Sequence, residues 1–362
     1  MLPELIHLPT ESYPDRHTSL LPVWEDAVFG KHFEMQTLVP NVPTQLSINT
    51  GEVLDSTNRP IWAMKQMQML LDRPERELGT LWFSDFYHTG LDALAYSRRP
   101  FKAFSFCWAQ SFDRYDFTRK MLPWMRQWEY LACELYSGVF VASTLLADLF
   151  TTAMPQMEGR VHVVGLPFNS KHVRSLLHGE ELKSATTADA FDVVYTSRWD
   201  AEKNPQFFLS LVKARPNLRF AVCTGATDLR GDPTAIAEAR RLEAEGRLTI
   251  FRACTKAQYY SVLVRSKVQI NVGWQDWVSY TLLEALTFGC LPLYPNHRSF
   301  PETFFHESAF LYRPGDAFDA AKKLDWLIEQ SEIGDTSRIG PRILEVHDRA
   351  LERIAETIRN SH

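Results

Sequence analysis

Short apolar runs alternate with helical patterns along almost the whole chain, and this alternation leaves few folds open. A strand buried on both faces of a parallel sheet reads as a continuous apolar run, and a crossover helix must carry the chain to the next strand. In the first half, strands are expected near 4–7, 33–38, 80–84, 101–106, 138–142 and 160–164, with helices near 18–28, 60–72, 117–134 and 143–152. The polar, turn-rich stretch 168–190 loses this periodicity and reads as a linker. The pattern then restarts, with strands at 191–197, 218–224, 248–251, 267–272 and 291–294 and helices near 205–213, 234–243, 256–265 and 280–288. At 341–359, Ile343, Leu344, Val346, Leu351, Ile354 and Ile358 predict one amphipathic terminal helix. The fold class is therefore α/β, with two Rossmann-like, doubly wound domains. The expected boundaries are 1–168, a linker 169–190, a second domain 191–335, and a helical tail 336–362 able to pack back on the first domain.

Composition removes several other classes. The 362 residues are enough for two cores, and a hydrophobic fraction of 45% means that neither disulfides nor metals are needed for folding. The five cysteines, Cys107, Cys133, Cys223, Cys254 and Cys290, form no C-x-x-C pair, which fits a reduced, cytoplasmic setting. The opening residues lack a basic region and a long apolar core, so no secretory signal is expected, and no run of 18 apolar residues predicts a membrane span. A net charge of −5 argues against a generally basic nucleic-acid binder but leaves room for a local patch.

In doubly wound sheets, ligands bind beyond the carboxyl ends of the strands. The loop after 191–197 carries Arg198 and Lys203, five residues apart and feeding a helix at Pro205. Two such cations can hold a diphosphate. The plainer reading is a pair of surface charges, since Asp200 and Glu202 lie between them. The loop after 267–272 carries Asp276, and Ser279, Tyr280 and Thr281 open a helix that contains Glu284. The free N–H groups of such a helix start suit a phosphate, and a carboxylate one turn deeper suits a ribose diol. An acidic cap on an ordinary amphipathic helix is the alternative.

Taken together, the two loops resemble the C-terminal domain of retaining GT-B glycosyltransferases of the family 4 type. Their R-x4-K loop corresponds to Arg198 and Lys203, and their E-x7-E helix to Asp276 and Glu284, ending at Phe288-Gly289. The resemblance implies a GT-B fold with the active site in the cleft between its domains. It implies that Arg198 and Lys203 hold the diphosphate of a nucleoside diphosphate sugar and that Glu284 binds its ribose. Asp276 stands where the family has Glu, and Ser279 where it has Gly. There is no D-x-D triplet, so neither metal nor cofactor is expected, the nucleotide sugar being a co-substrate.

The first half offers candidates for work on an acceptor hydroxyl: His17, Asp85, His88, Asp113 and Asp116, each with capping or loop hydrogen bonding as its plainer role. Residues 98–126 interleave cations, among them Arg98, Arg99, Lys102, Arg114 and Arg119, with aromatics such as Trp108, Phe112 and Tyr115. That mixture can bind a nucleic-acid strand by stacking and phosphate contact, or can be a buried strand followed by a solvated helix face. The segments 198–208, 289–295 and 300–304 resemble the tRNA-queuosine mannosyltransferase family, whose work is related to that of phage enzymes adding glucose or arabinose to 5-hydroxymethylcytosine in DNA. The family's G-G-S-H is here Pro14-Asp15-Arg16-His17 and its F-H-E-N is Phe106-Cys107-Trp108-Ala109. The expected activity is thus sugar transfer from a UDP- or GDP-sugar to a modified nucleobase, with 5-hydroxymethylcytosine in DNA ahead of queuosine in tRNA. The alternatives are a glycan or lipid-linked acceptor and a degenerate nucleotide-sugar-binding protein without turnover.

Overall fold

The computed structural model describes residues 2–10, 17–42, 58–116, 118–119, 122–177, 190–333 and 338–361. The chain divides into two compact units, one of residues 1–168 with 349–362 and the other of residues 169–348. Each is built on a six-stranded, all-parallel sheet flanked by helices. Among the described residues no helix is long and apolar enough to cross a membrane.

The first sheet contains β1 (Glu4–Leu8), β2 (Glu34–Thr37), β3 (Gly79–Phe83), β4 (Phe101–Phe106), β5 (Tyr136–Val141) and β6 (Val161–Val163), in the order β2-β1-β3-β4-β5-β6. The order reverses between β1 and β3, which makes that pair the topological switch point. There His7 of β1 is fully buried between two carboxylates, with Nδ1 2.9 Å from Asp26 and Nε2 3.0 Å from Glu25. Glu25 also accepts bonds from Trp82 Nε1 at 2.9 Å and from Ser84 Oγ at 2.6 Å. Burial works against a charge on His7, but the Glu25 and Asp26 carboxylates outweigh it and hold the imidazole pKa up at about 9.

The second sheet contains β7 (Phe191–Tyr195), β8 (Phe220–Cys223), β9 (Leu248–Phe251), β10 (Ser266–Ile270), β11 (Leu291–Pro295) and β12 (Leu311–Tyr312), in the order β12-β11-β10-β7-β8-β9. The chain winds outward from β7 to β9 and then returns to the other side of β7. This is the dinucleotide-fold order, with its switch point between β7 and β10.

Two regions differ from the pattern read in the sequence. The stretch 168–190 opens with a helix, Ser170–Ser175, capped by Asn169, and residues 178–189 lie outside the described residues. The single terminal helix expected at 341–359 is two, Ile339–Asp348 and Ala350–Asn360, broken at Arg349. The reason is that its apolar stripe serves two cores. The earlier helix packs on the helix Tyr280–Thr287 of the second unit. The later one buries Leu351, Ile354 and Ile358 against the helix His17–Phe29 of the first unit, with Glu352 2.6 Å from His32.

Candidate functional site

The loops after β7 and β10 leave adjacent strands on either side of the switch point in the second unit. Tyr195, the last residue of β7, is buried, and its hydroxyl bonds the Arg198 carbonyl at 2.8 Å and the Lys203 carbonyl at 3.3 Å. Asn204 then takes a left-handed conformation (φ 49°), which Asn tolerates, and Pro205 opens the next helix with its φ already suited to it. Gly231 presses on this loop from the β8 side with φ 138°. A Cβ there would lie 2.2 Å from the Trp199 carbonyl oxygen, which also accepts the Asp232 N–H at 2.9 Å.

Lys203 is buried, and its ammonium crosses to the β10 loop. It donates to the Gln275 carbonyl at 2.6 Å and lies 3.6 Å from the Asp276 carboxylate. The Trp274 N–H closes the loops from the other side by donating to the Glu202 carbonyl at 2.8 Å. Lys203 and Asp276 are therefore brought together. Arg198 is 40% exposed and pairs with Asp200 at 2.9 Å and Glu202 at 2.8 Å, the surface arrangement that its neighbours suggested. Exposed pairs of this kind are worth about 0–1 kcal/mol, so an incoming anion can displace them.

Ser279 caps the helix Tyr280–Thr287 through its backbone alone, and its hydroxyl lies 2.6 Å from Thr281 Oγ1. The first-turn N–H groups of Tyr280 and Thr281 have no acceptor within the helix, which leaves partial positive charge at its start. Glu284, one turn in, is buried and accepts from Lys256 Nζ at 2.6 Å and Tyr260 Oη at 3.0 Å. Neither partner was singled out in the sequence. A signal was present in Thr255-x-x-Gln258, which forms a capping box and puts Lys256 in the first turn of its helix.

In the first unit the loops after β3 and β4 are tied by Glu129, also missed from sequence. This buried carboxylate accepts from Tyr87 Oη, from the Ser111 N–H at 2.8 Å and from Ser111 Oγ at 2.6 Å. Burial, reinforced by Glu129, pushes the Cys107 thiol well above its usual range. Asp85 accepts the Tyr87 N–H at 3.0 Å, Asp113 the Tyr115 N–H at 3.2 Å, and Asp116 the Thr118 N–H at 2.8 Å, so each organises its own turn. His88 is buried 3.1 Å from Gln66 and edge-on to Phe83. His17 begins a helix, but its side chain and residues 11–16 lie outside the described residues.

The basic and aromatic run 98–126 is not one surface. Arg98, Arg99 and Lys102 lie at the amino edge of β4, whereas Trp108, Arg114 and Arg119 follow its carboxyl end. Four strand residues, 103–106, roughly 13 Å of strand, lie between Lys102 and the second group. Arg99 is spent on the carbonyls of Leu71 (2.9 Å) and Arg73 (2.6 Å), and Lys102 on that of Ser361. At the other end, Trp108 packs tilted against Phe106, with ring centres 4.3 Å apart, and donates to the Ser84 carbonyl at 2.7 Å, while Arg114 lies over the Tyr115 ring.

No known family model matches the chain. Solved structures do match it along its whole length. Sucrose-phosphate synthase from Thermosynechococcus elongatus is 14% identical, with 99% of this chain and 98% of that one covered and a TM-score of 0.68. An Escherichia coli trehalose-6-phosphate protein bound with UDP-2-fluoro glucose is 11% identical over 98% and 99%, with a TM-score of 0.67. The fold is GT-B. Anabaena Alr3699/HepE in complex with UDP and glucose has the same architecture, at 13% identity over 99% and 98% with a TM-score of 0.66.

Proposed function

We propose that this chain is a glycosyltransferase that moves a sugar from a nucleoside diphosphate sugar to a hydroxyl, with retention at the anomeric carbon and without a metal. The observation that carries the reading is the join at the β7–β10 switch point, where buried Lys203 is fixed against Gln275 and Asp276 beside a helix start. In this reading Lys203, Arg198 and the amides of Tyr280 and Thr281 take the diphosphate charge that grows as the bond to the sugar breaks. Asp276 contacts sugar hydroxyls and Glu284 the ribose. Structural relatives in complex with UDP and glucose and with UDP-2-fluoro glucose support a UDP-sugar as donor.

Two acceptors fit. The resemblance of residues 198–208, 289–295 and 300–304 to enzymes of modified nucleobases supports 5-hydroxymethylcytosine in DNA, met by Trp108, Arg114 and Arg119 beyond β4. The relatives named for sucrose phosphate and trehalose-6-phosphate support a sugar or sugar phosphate instead. Mass spectrometry decides between them. The protein is incubated with UDP- and GDP-sugars and, in separate tubes, with 5-hydroxymethylcytosine DNA, bulk tRNA, glucose 6-phosphate and fructose 6-phosphate. A gain of one pentose or hexose identifies the acceptor. If no UDP- or GDP-sugar is bound, hydrolysed or transferred, the enzymatic reading is wrong.

Two substitutions probe the donor loop. Arg198→Ala removes the exposed ion pairs to Asp200 and Glu202, so the melting temperature is expected to change by less than about 3 °C, while UDP binding weakens roughly tenfold to a hundredfold. Calorimetric titration with unchanged affinity would remove Arg198 from the site. Gly231→Ala forces a side chain into the Trp199 carbonyl, and a loss of about 2 kcal/mol in stability together with weaker UDP binding is expected. A variant with wild-type melting and wild-type UDP affinity would show that this glycine does not position the loop.

A further inference from the structure

Glu284 is held in a way that its expected role does not explain. Its side chain is only 4% exposed, yet one oxygen, Oε1, takes both protein donors, Lys256 Nζ at 2.6 Å and Tyr260 Oη at 3.0 Å. Both donors come from the helix Lys256–Val264, one turn apart, so they meet the carboxylate from the same face. The helix start is fixed by the reciprocal Thr255–Gln258 bonds, and the Tyr260 ring packs 4.8 Å from Phe288, at the end of the helix that carries Glu284. The Lys256 ammonium also lies 5.3 Å from the centre of the Tyr260 ring, so its stem has little freedom. Burial, with Glu284 reinforcing it, holds the Tyr260 phenol far above its usual range, so it remains a donor throughout the working pH range.

A carboxylate has acceptor sites on both oxygens. Lys256 and Tyr260 both load Oε1, which sets the side-chain torsions, while the Tyr259 phenol is buried close to the same carboxylate. The acceptor sites of Oε2 that Lys256 and Tyr260 do not use suit a hydroxyl-bearing ligand. We propose that Lys256 and Tyr260 are positioning residues that aim Glu284 Oε2 at the ribose hydroxyls of the donor, and so make this site discriminate ribonucleotides from 2′-deoxyribonucleotides. The proposal rests on the donor-site reading above. It adds that selectivity for the ribose lies in the neighbouring helix as well as in Glu284.

The test is calorimetric titration of the full chain with UDP, 2′-deoxy-UDP, GDP and 2′-deoxy-GDP, for the wild type and for Lys256→Met, Lys256→Arg, Tyr260→Phe and Glu284→Gln. The wild type is expected to prefer the ribonucleotide by about tenfold, the size of one hydrogen bond to a charged group. Lys256→Met should lose most of this preference through weaker ribonucleotide binding, with the deoxynucleotide almost unaffected. Lys256→Arg should restore it, and a thermal melt confirms that each variant is folded. A merely structural pair would weaken both nucleotides equally and leave the ratio unchanged. If Glu284→Gln abolishes the preference while Lys256→Met and Tyr260→Phe keep it, the positioning role is wrong and the ribose reading of Glu284 stands. If Glu284→Gln keeps it too, both are wrong, although UDP binding still supports the donor site. If the wild type binds none of the four, the donor-site reading falls and this inference falls with it.

Discussion

Lys203→Met is expected to lower donor turnover by at least about a hundredfold while the protein remains folded. The ammonium is buried and held on the Gln275 carbonyl, so in the proposed reading few waters would intervene between it and a diphosphate. Preorganised charge of this kind needs no rearrangement as the leaving group forms. Methionine keeps most of the packing volume but cannot neutralise a phosphate oxygen, and it removes the bond to the Gln275 carbonyl. Loss of this buried charge-assisted bond is expected to cost about 1–3 kcal/mol in stability. Release of labelled sugar from the donor, followed beside a thermal melt, separates the two effects. A folded variant with wild-type turnover would show that Lys203 only fastens two loops together.

The largest expected change in stability lies elsewhere, at His7→Leu. This substitution leaves the buried Glu25 carboxylate without its imidazole partner, a change that typically costs about 3–5 kcal/mol. A fall of roughly 10 °C or more in the melting of the first unit should follow. The pH dependence has a definite sign. The folded pKa of His7, about 9, lies above its unfolded value of 6.5. Its contribution, about 3 kcal/mol, is therefore complete below pH 6.5 and is lost as pH rises through about 9. Denaturant unfolding between pH 6 and 10 should show this decline in the wild type and not in His7→Leu. Equal slopes in the two proteins would mean that His7 is not charged in the folded state.

The strands of the second unit were legible because they are short, buried on both faces and separated by helices with clear periodicity: FDVVY, FAVC and LTIF announce themselves. Once strands are placed, the loops at their carboxyl ends follow, which is why Arg198, Lys203, Asp276 and Glu284 stand out in the sequence. The partners of these residues were not legible. Lys203 meets Gln275 across 72 positions, and Lys256 meets Glu284 across 28, through contacts that only the sheet order creates. Adjacency in sequence was misleading in the first unit. Arg99 and Trp108 are nine positions apart, yet a strand carries one to each end of the sheet. The split at Arg349 was hidden for a similar reason, since a single apolar period does not reveal that its two halves face different cores.

The return of the helix Ala350–Asn360 to the first unit also sets an order of events during synthesis. The groove along the helix His17–Phe29 receives Leu351, Ile354 and Ile358 only after the whole second unit has left the ribosome. At roughly 5–20 residues per second, that delay is on the order of ten to forty seconds. During it, the first sheet carries an uncovered apolar seam. A nascent chain halted before this helix should therefore be the species that holding chaperones engage, and the first unit becomes resistant to protease only once this helix has emerged and docked.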